Sequence, residues 1–189
     1  MKRSAGPLFL AMLLALAVPT LASAQASIFL GGGATIPTGD YGDYAKTGWM
    51  GQAGAVFNVG SNGLFVAGEG FYGSNTHETI GTAAADKTNL YGADGQVGYR
   101  FGDQEKAGLY VAGLLGALIH KYSPATGTGD SSTGILFGGI AGVDIPVGKV
   151  NVWVEGRWMN GRHSEAGDSW NTGFFGLFAG VSIPVGSGN

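Results

Sequence analysis

Cysteine is absent from all 189 residues, so the chain has neither a disulfide scaffold nor a thiolate metal site to stabilise it. Charge is scarce too: 12% of residues are Asp, Glu, Lys or Arg, where a water-soluble domain usually carries roughly 25–35% on its surface. The formal net charge of -3 gives no basis for a nucleic-acid partner. No apolar run reaches the roughly 20 residues that a membrane-spanning helix needs. Beyond the N-terminal segment, no stretch keeps a 3.6-residue apolar period, which excludes a helical core. What is abundant is glycine, 37 residues of it. It lacks the strict three-residue period of collagen and the charge of a disordered chain.

The N-terminal segment reads as a secretory signal peptide. Lys2 and Arg3 precede an apolar run from Pro7 to Val18, and Ala22 and Ala24 fit a small-residue cleavage site. Residues 1–24 are therefore expected to be removed, leaving 25–189 as a single domain.

Period-two alternation recurs through that domain and predicts an all-β fold of eight strands. They cover Ser27 to Ile36, Gly48 to Asn58, Leu64 to Tyr72, Leu90 to Phe101, Leu109 to His120, Ile135 to Ile145, Val150 to Trp158 and Thr172 to Ile183. The fifth is apolar on both faces, so its orientation is not readable. The connections after odd strands are long (residues 38–47, 73–87, 121–133 and 160–171), and those after even strands are short (59–63, 102–107 and 146–149). An up-and-down barrel gathers odd connections at one end and even ones at the other, and membrane barrels have long outer loops and short periplasmic turns. A weak repeat agrees: "AGAVFNVGSNGLFVAGEG" and "AGVDIPVGKVNVWVEG" each read strand, tight turn, strand, and end Glu-Gly at Glu69 and Glu155. Either a duplication or the general likeness of hairpins accounts for it.

Charge decides which face is out. Within the strands the charged residues are Glu69, Asp94, Arg100, Asp144, Glu155 and Arg157, each on the less apolar face. So few charges cannot furnish the wall of a soluble barrel, but they suit a narrow lumen as a polar ion-pair network. An Arg facing mid-bilayer lipid would cost roughly 2–4 kcal/mol. The predicted architecture is thus an eight-stranded antiparallel transmembrane β-barrel, with Val150, Val152, Val154 and Trp158 toward acyl chains. Trp49, Tyr72, Tyr91, Tyr99 and Trp158, near strand ends, suit the aromatic girdles. Small lumenal residues would make room for larger ones.

With its signal segment, "GGGATIPTGDYGDYAKTGW" as first strand and outer loop, and "AGVDIPVGKVNVWVEGRW" as a Gly-rich hairpin with a lumenal Glu, the chain resembles the small outer-membrane β-barrel family of the OmpA/OmpX-type eight-stranded kind. The resemblance implies a monomer in the outer membrane of a Gram-negative cell, embedded in the lipid bilayer by the outer-membrane assembly machinery. It also implies a role in envelope structure, surface contact or small-solute passage. Members of the family usually end in an aromatic residue, whereas this sequence ends Ile183-Pro-Val-Gly-Ser-Gly-Asn189.

Candidates for chemistry are few. "RHSEAGDS", Arg162 to Ser169, is similar to the His/Ser pair of the outer-membrane lipid A deacylase family, which would make His163 a base and Ser164 a nucleophile. Adjacent residues diverge in a strand, and the stretch reads first as a polar, solvated outer loop. Asp40, Asp43 and Asp130 lack the ligand spacing of a calcium loop and read as turn residues. Gly31-Gly-Gly33 lacks the Lys and helix of a phosphate loop. His77 and His120 read as isolated, with no second ligand at metal spacing. No cofactor, metal or catalytic residue is expected. Glu69, Asp94, Arg100, Glu155 and Arg157 would plug the lumen or, alternatively, line a narrow pore.

Overall fold

A computed structural model describes residues 26–78, 85–103, 106–165 and 168–185. The expected signal peptide lies outside them. Eight strands, β1 (Ala26–Thr38), β2 (Gly48–Asn58), β3 (Leu64–Thr76), β4 (Lys87–Phe101), β5 (Gly108–Ser123), β6 (Ser131–Val147), β7 (Val150–Glu165) and β8 (Asp168–Val185), follow one another around a closed barrel. Every pairing is antiparallel, and β8 closes on β1 from Ala26↔Val185 to Thr38↔Gly173. Closure removes both sheet edges, so the ladder satisfies the backbone where no water is available. Among the described residues no helix is long and apolar enough to cross a membrane; the crossing is made by strands.

The two faces separate as the alternation requires. Leu30, Leu115 and Ile135 are 63%, 64% and 65% exposed on the outer wall. Phe29, Leu114 and Leu136, one position away from each, are buried in the lumen. Contiguous apolar exposure on this scale is a lipid-facing surface. The fifth strand, unreadable from its sequence, turns Leu114, Leu118 and His120 inward and Leu109, Val111 and Leu115 outward.

Strand ends depart from expectation in one direction. Residues 160–171 were expected to form a long outer loop; instead β7 and β8 stay paired through Arg162↔Asn171, His163↔Trp170 and Glu165↔Asp168. β7 and β8 are therefore paired as far as Glu165 and from Asp168 onward, where a long loop was expected. β5 and β6 likewise continue to Ser123 and back from Ser131. A bilayer needs about 9–11 residues of tilted strand, so these ends extend beyond the hydrocarbon. There the outward face meets water, the apolar/polar contrast disappears, and the strand loses its sequence signature while keeping its hydrogen bonds.

Lumenal glycines fit against rings. A Cβ at Gly31 would lie 2.2 Å from the Trp153 ring, one at Gly54 2.7 Å from Phe29, and one at Gly98 2.2 Å from Phe65. Each glycine leaves the space that a neighbouring aromatic occupies, which lets a narrow cylinder hold large side chains. Gly98→Ala, which also brings its methyl to 2.6 Å from the Val111 carbonyl oxygen, should lower the unfolding free energy by about 1–3 kcal/mol. Gly113→Ala, on the outer wall with nothing within 4 Å, should be close to neutral. Denaturant titration of the protein refolded in detergent micelles measures both.

Candidate functional site: the lumen and its outer mouth

The strand register stacks the lumen into layers. At mid-height the side chain of Arg157, on β7, reaches across the interior. Its Nη1 and Nη2 donate to Glu69 on β3, the second at 2.9 Å, and its Nε donates to Glu155. Glu155 also accepts from Gln52 Nε2 at 3.0 Å and from the Tyr110 hydroxyl at 2.7 Å. The guanidinium lies 5.5 Å from the Phe178 ring centroid, a cation–π contact. Asp94 pairs with Glu69 across the β3–β4 ladder and accepts from Gln96 Nε2 at 3.0 Å. The two glutamates of the sequence repeat thus meet on one arginine.

Arg100 and Asp144, expected in the same network, form a separate pair. Arg100 Nε donates to both Asp144 oxygens at 2.9 and 3.0 Å. Its other nitrogens donate to the Asp103 and Lys106 carbonyls at 2.8 and 2.7 Å. That pair ties down the β4–β5 turn at the short-turn end of the barrel. Between it and Arg157 lies a cavity of about 1070 Å³, lined among others by Phe65, Tyr110, Trp153, Gln96 and Glu155. The expectation of a lumen filled along its length is corrected here: rings and glycines interlock along the walls but leave the short-turn half hollow.

Above Arg157 the lumen turns apolar. Met50, Leu90, Leu118, Leu136, Met159 and Phe174 are each at most 1% exposed and form part of one buried cluster. Over them folds the first outer connection, whose 3-10 turn Gly39–Asp43 buries Tyr41 completely. Tyr41 packs on Tyr44 at 5.5 Å and on His120 at 5.8 Å between ring centroids. His120 in turn meets Trp170 at 4.8 Å and His163 at 5.9 Å, and His163 stacks on Trp170 at 4.0 Å. On the other side Tyr44 meets His77 at 5.2 Å, and His77 stacks on Tyr122 at 5.5 Å.

Two expectations change at this mouth. His77 and His120 are not isolated, because paired strand ends bring them into one ring cluster with His163. His163 is not in a solvated loop: it is fully buried, and its Nε2 lies 3.2 Å from Thr172 Oγ1. Ser164 is exposed on the opposite face of β7, so the strand pleat directs the two side chains of the deacylase-like pair apart. Asp40 and Asp43 sit in the 3-10 turn, and among the described residues no group of three His, Asp or Glu is placed to hold a metal. Burial holds the His77 imidazole below its usual range, only partly offset by nearby Asp86. The Tyr122 hydroxyl and the Ala125 N–H hold the Asp86 carboxyl below the usual carboxylate range.

Of the aromatics expected in girdles, Trp49, Tyr72, Tyr99 and Trp158 are exposed on the outer wall and Tyr91 is half-buried there. Trp49, Tyr72 and Tyr91 touch in series at 5.7 and 6.4 Å on the outer side, while Tyr99 meets Phe101 at 5.0 Å beside a short turn. The mouth itself was missed. Its signal was the gathering of Tyr41, Tyr44, His77, His120, Tyr122, His163 and Trp170 in or near the odd connections.

The architecture matches solved barrels across almost their whole length. Neisserial surface protein A superposes with a TM-score of 0.66 at 18% identity, covering 85% of this chain and 97% of that one. Ail, the attachment invasion locus protein of Yersinia pestis, solved with the heparin analogue sucrose octasulfate, superposes at 0.54 with 18% identity over 85% and 99%. Its fold is that of the eight-stranded outer-membrane barrels. No protein-family model and no curated protein matches the chain. In such a barrel the outer wall meets the lipid of a Gram-negative outer membrane and the odd connections face outward.

Arg157→Met in this barrel should leave Glu69 and Glu155 buried without a cation and lower the unfolding free energy by about 3–5 kcal/mol. Replacing all three by Met should recover most of that loss, since an apolar group of similar volume needs no partner. Equilibrium unfolding in micelles distinguishes the two.

Proposed function

We propose that the protein is a non-enzymatic, monomeric outer-membrane barrel that acts through its outer mouth, in surface interaction or envelope structure, and that conducts no solute. The observation that carries this reading is the doubly sealed lumen. Arg157 with its two glutamates spans the interior, and a fully buried apolar layer and Tyr41 lie above it. Ions entering the hollow short-turn end would have to break a paired guanidinium and then cross a dry layer, each step costing several kcal/mol.

Ail was solved with a polyanionic ligand, but the outer connections here lean the other way. Asp40, Asp43, Glu78, Asp86, Asp130, Glu165 and Asp168 stand against Lys46, Lys87, Lys121 and Arg162. An acidic outer end repels polyanions and favours cationic groups. A deacylase role has no support in the geometry, because His163 and Ser164 point to opposite faces.

In a planar bilayer the purified barrel should show no steady single-channel conductance; steady conductance would establish the narrow-pore reading instead. Incubated with lipid A, it should release no fatty acid. Release that disappears in His163→Ala would make it an enzyme.

A further inference from the structure

The hollow half of the lumen, about 1070 Å³, has aromatic walls, a polar ceiling and a rim formed by the short turns, where Gly60, Ser61, Asn62 and Gly102 lie. It is reached from the periplasmic side, and its volume is that of a site for a drug-sized molecule. We infer that this cavity binds a small organic cation, an aromatic body carrying a primary ammonium group, which enters between the short turns.

The walls are two pairs of rings. Trp153 meets Phe29 edge to face at 6.2 Å between centroids, and Phe65 meets Tyr110 in the same way at 6.2 Å. Trp153 lies over Gly180 of β8 and Phe65 over Gly98 of β4, strands that stand opposite each other in the closed order of eight. The pairs therefore face one another across the hollow, and the glycines behind them hold each ring back against its wall. A flat apolar group between them would displace water from both walls at once.

Charge selects the cation. The ceiling of the cavity is formed by Glu155, Gln96 and Arg157. Glu155 is two residues before Arg157 on β7, which runs outward from the short turn, so an entering ligand meets the carboxylate first. Glu69, Asp94 and Glu155 surround the one guanidinium, while Asp144 is balanced by Arg100 at the rim. The surplus is negative even with one carboxyl protonated, and low-dielectric walls strengthen its pull on a cation. Hydrogen bonding sets the head group. Gln96 gives its Nε2 to Asp94. Among the described residues nothing donates to its Oε1, and that oxygen is not closed over. Glu155 Oε2 accepts from Tyr110 alone, which leaves it a lone pair. A primary ammonium can donate to these oxygens; a quaternary one has no hydrogen to give. This inference is separate from the reading of the outer mouth and holds whether or not the lumen conducts.

The test is NMR of the full chain in detergent micelles, following the indole Nε1–H of Trp153, which is assigned by its loss in Trp153→Phe. 2-Phenylethylammonium chloride should shift that signal saturably. 3-Phenylpropionate and 2-phenylethanol should each bind at least tenfold more weakly, as should the ammonium to Glu155→Gln. Because the chain has no cysteine, Ser182→Cys places a single thiol on the lining of the cavity near its rim. Coupling a bulky maleimide there should abolish binding, and coupling it to Ser164→Cys, on the outward face at the other end, should leave binding unchanged. Retention of the heat-modifiable gel shift verifies that each variant is folded; where Glu155→Gln loses it, the comparison of the three ligands decides the role of charge. No saturable shift, equal binding of the ammonium and the alcohol, or binding that survives the block at residue 182 would overturn the site.

Discussion

Arg157 is placed where hydrocarbon leaves it no alternative. A strand that crosses a bilayer shows lipid on one face, so every polar side chain it carries must turn inward. In this barrel that rule fills the middle of the lumen with Glu69, Glu155, Asp94, Gln52 and Gln96, and the guanidinium holds the two glutamates together from opposite sides. Register follows from it. Slipping any one of β3, β4 or β7 by one residue would put a carboxylate or Arg157 against acyl chains, so the network fixes the pairing as firmly as the ladder hydrogen bonds do.

The glycine content has the same origin. Eight strands enclose a cylinder too narrow for a full set of ordinary side chains on every inward position. Trp153 lies over both Gly31 and Gly180, and Phe65 lies over Gly98. Pairing one large ring with a neighbouring glycine keeps the wall packed without pushing strands apart. The scarcity of charge, the wealth of glycine and the absence of cysteine describe one condition: a protein whose solvent is lipid and whose core is a tube.

How much of this was legible follows from where the two environments contrast. Between the girdles each strand sees lipid on one side and the lumen on the other, and the period of two gave the correct face for Ile28, Val97, Val152 and Leu177, all exposed outward. β5 was unreadable because Leu114 and Leu118 are as apolar as the lipid-facing Leu115. Here the lumen and the bilayer have the same polarity, so composition cannot separate them. Above the girdles the outward face is polar too and the contrast is lost, so residues 160–165 and 168–171 looked like part of a loop although they pair. The ring cluster was hidden for a different reason. His77, His120 and His163 are far apart in sequence, and only paired strand ends of a particular length bring them together.

The layering of the lumen gives the two ends different work. The hollow half lies under the short turns, where Arg100 and Asp144 lock the β4–β5 turn and water can reach the rim. The dry half lies under the mouth, where Tyr41 and the buried aliphatic layer support the histidine and tryptophan rings from below. Rigid support matters because a cluster of rings on free loops would lose much of its binding energy to ordering. Here His120, Tyr122, His163 and Trp170 project from strands that the bilayer already holds in place, His77 follows directly on β3 and is bridged to Ala45, and Tyr41 and Tyr44 are tied in by the 3-10 turn. The same membrane that forces charge into the centre of the barrel therefore preorganises the surface it presents to the outside.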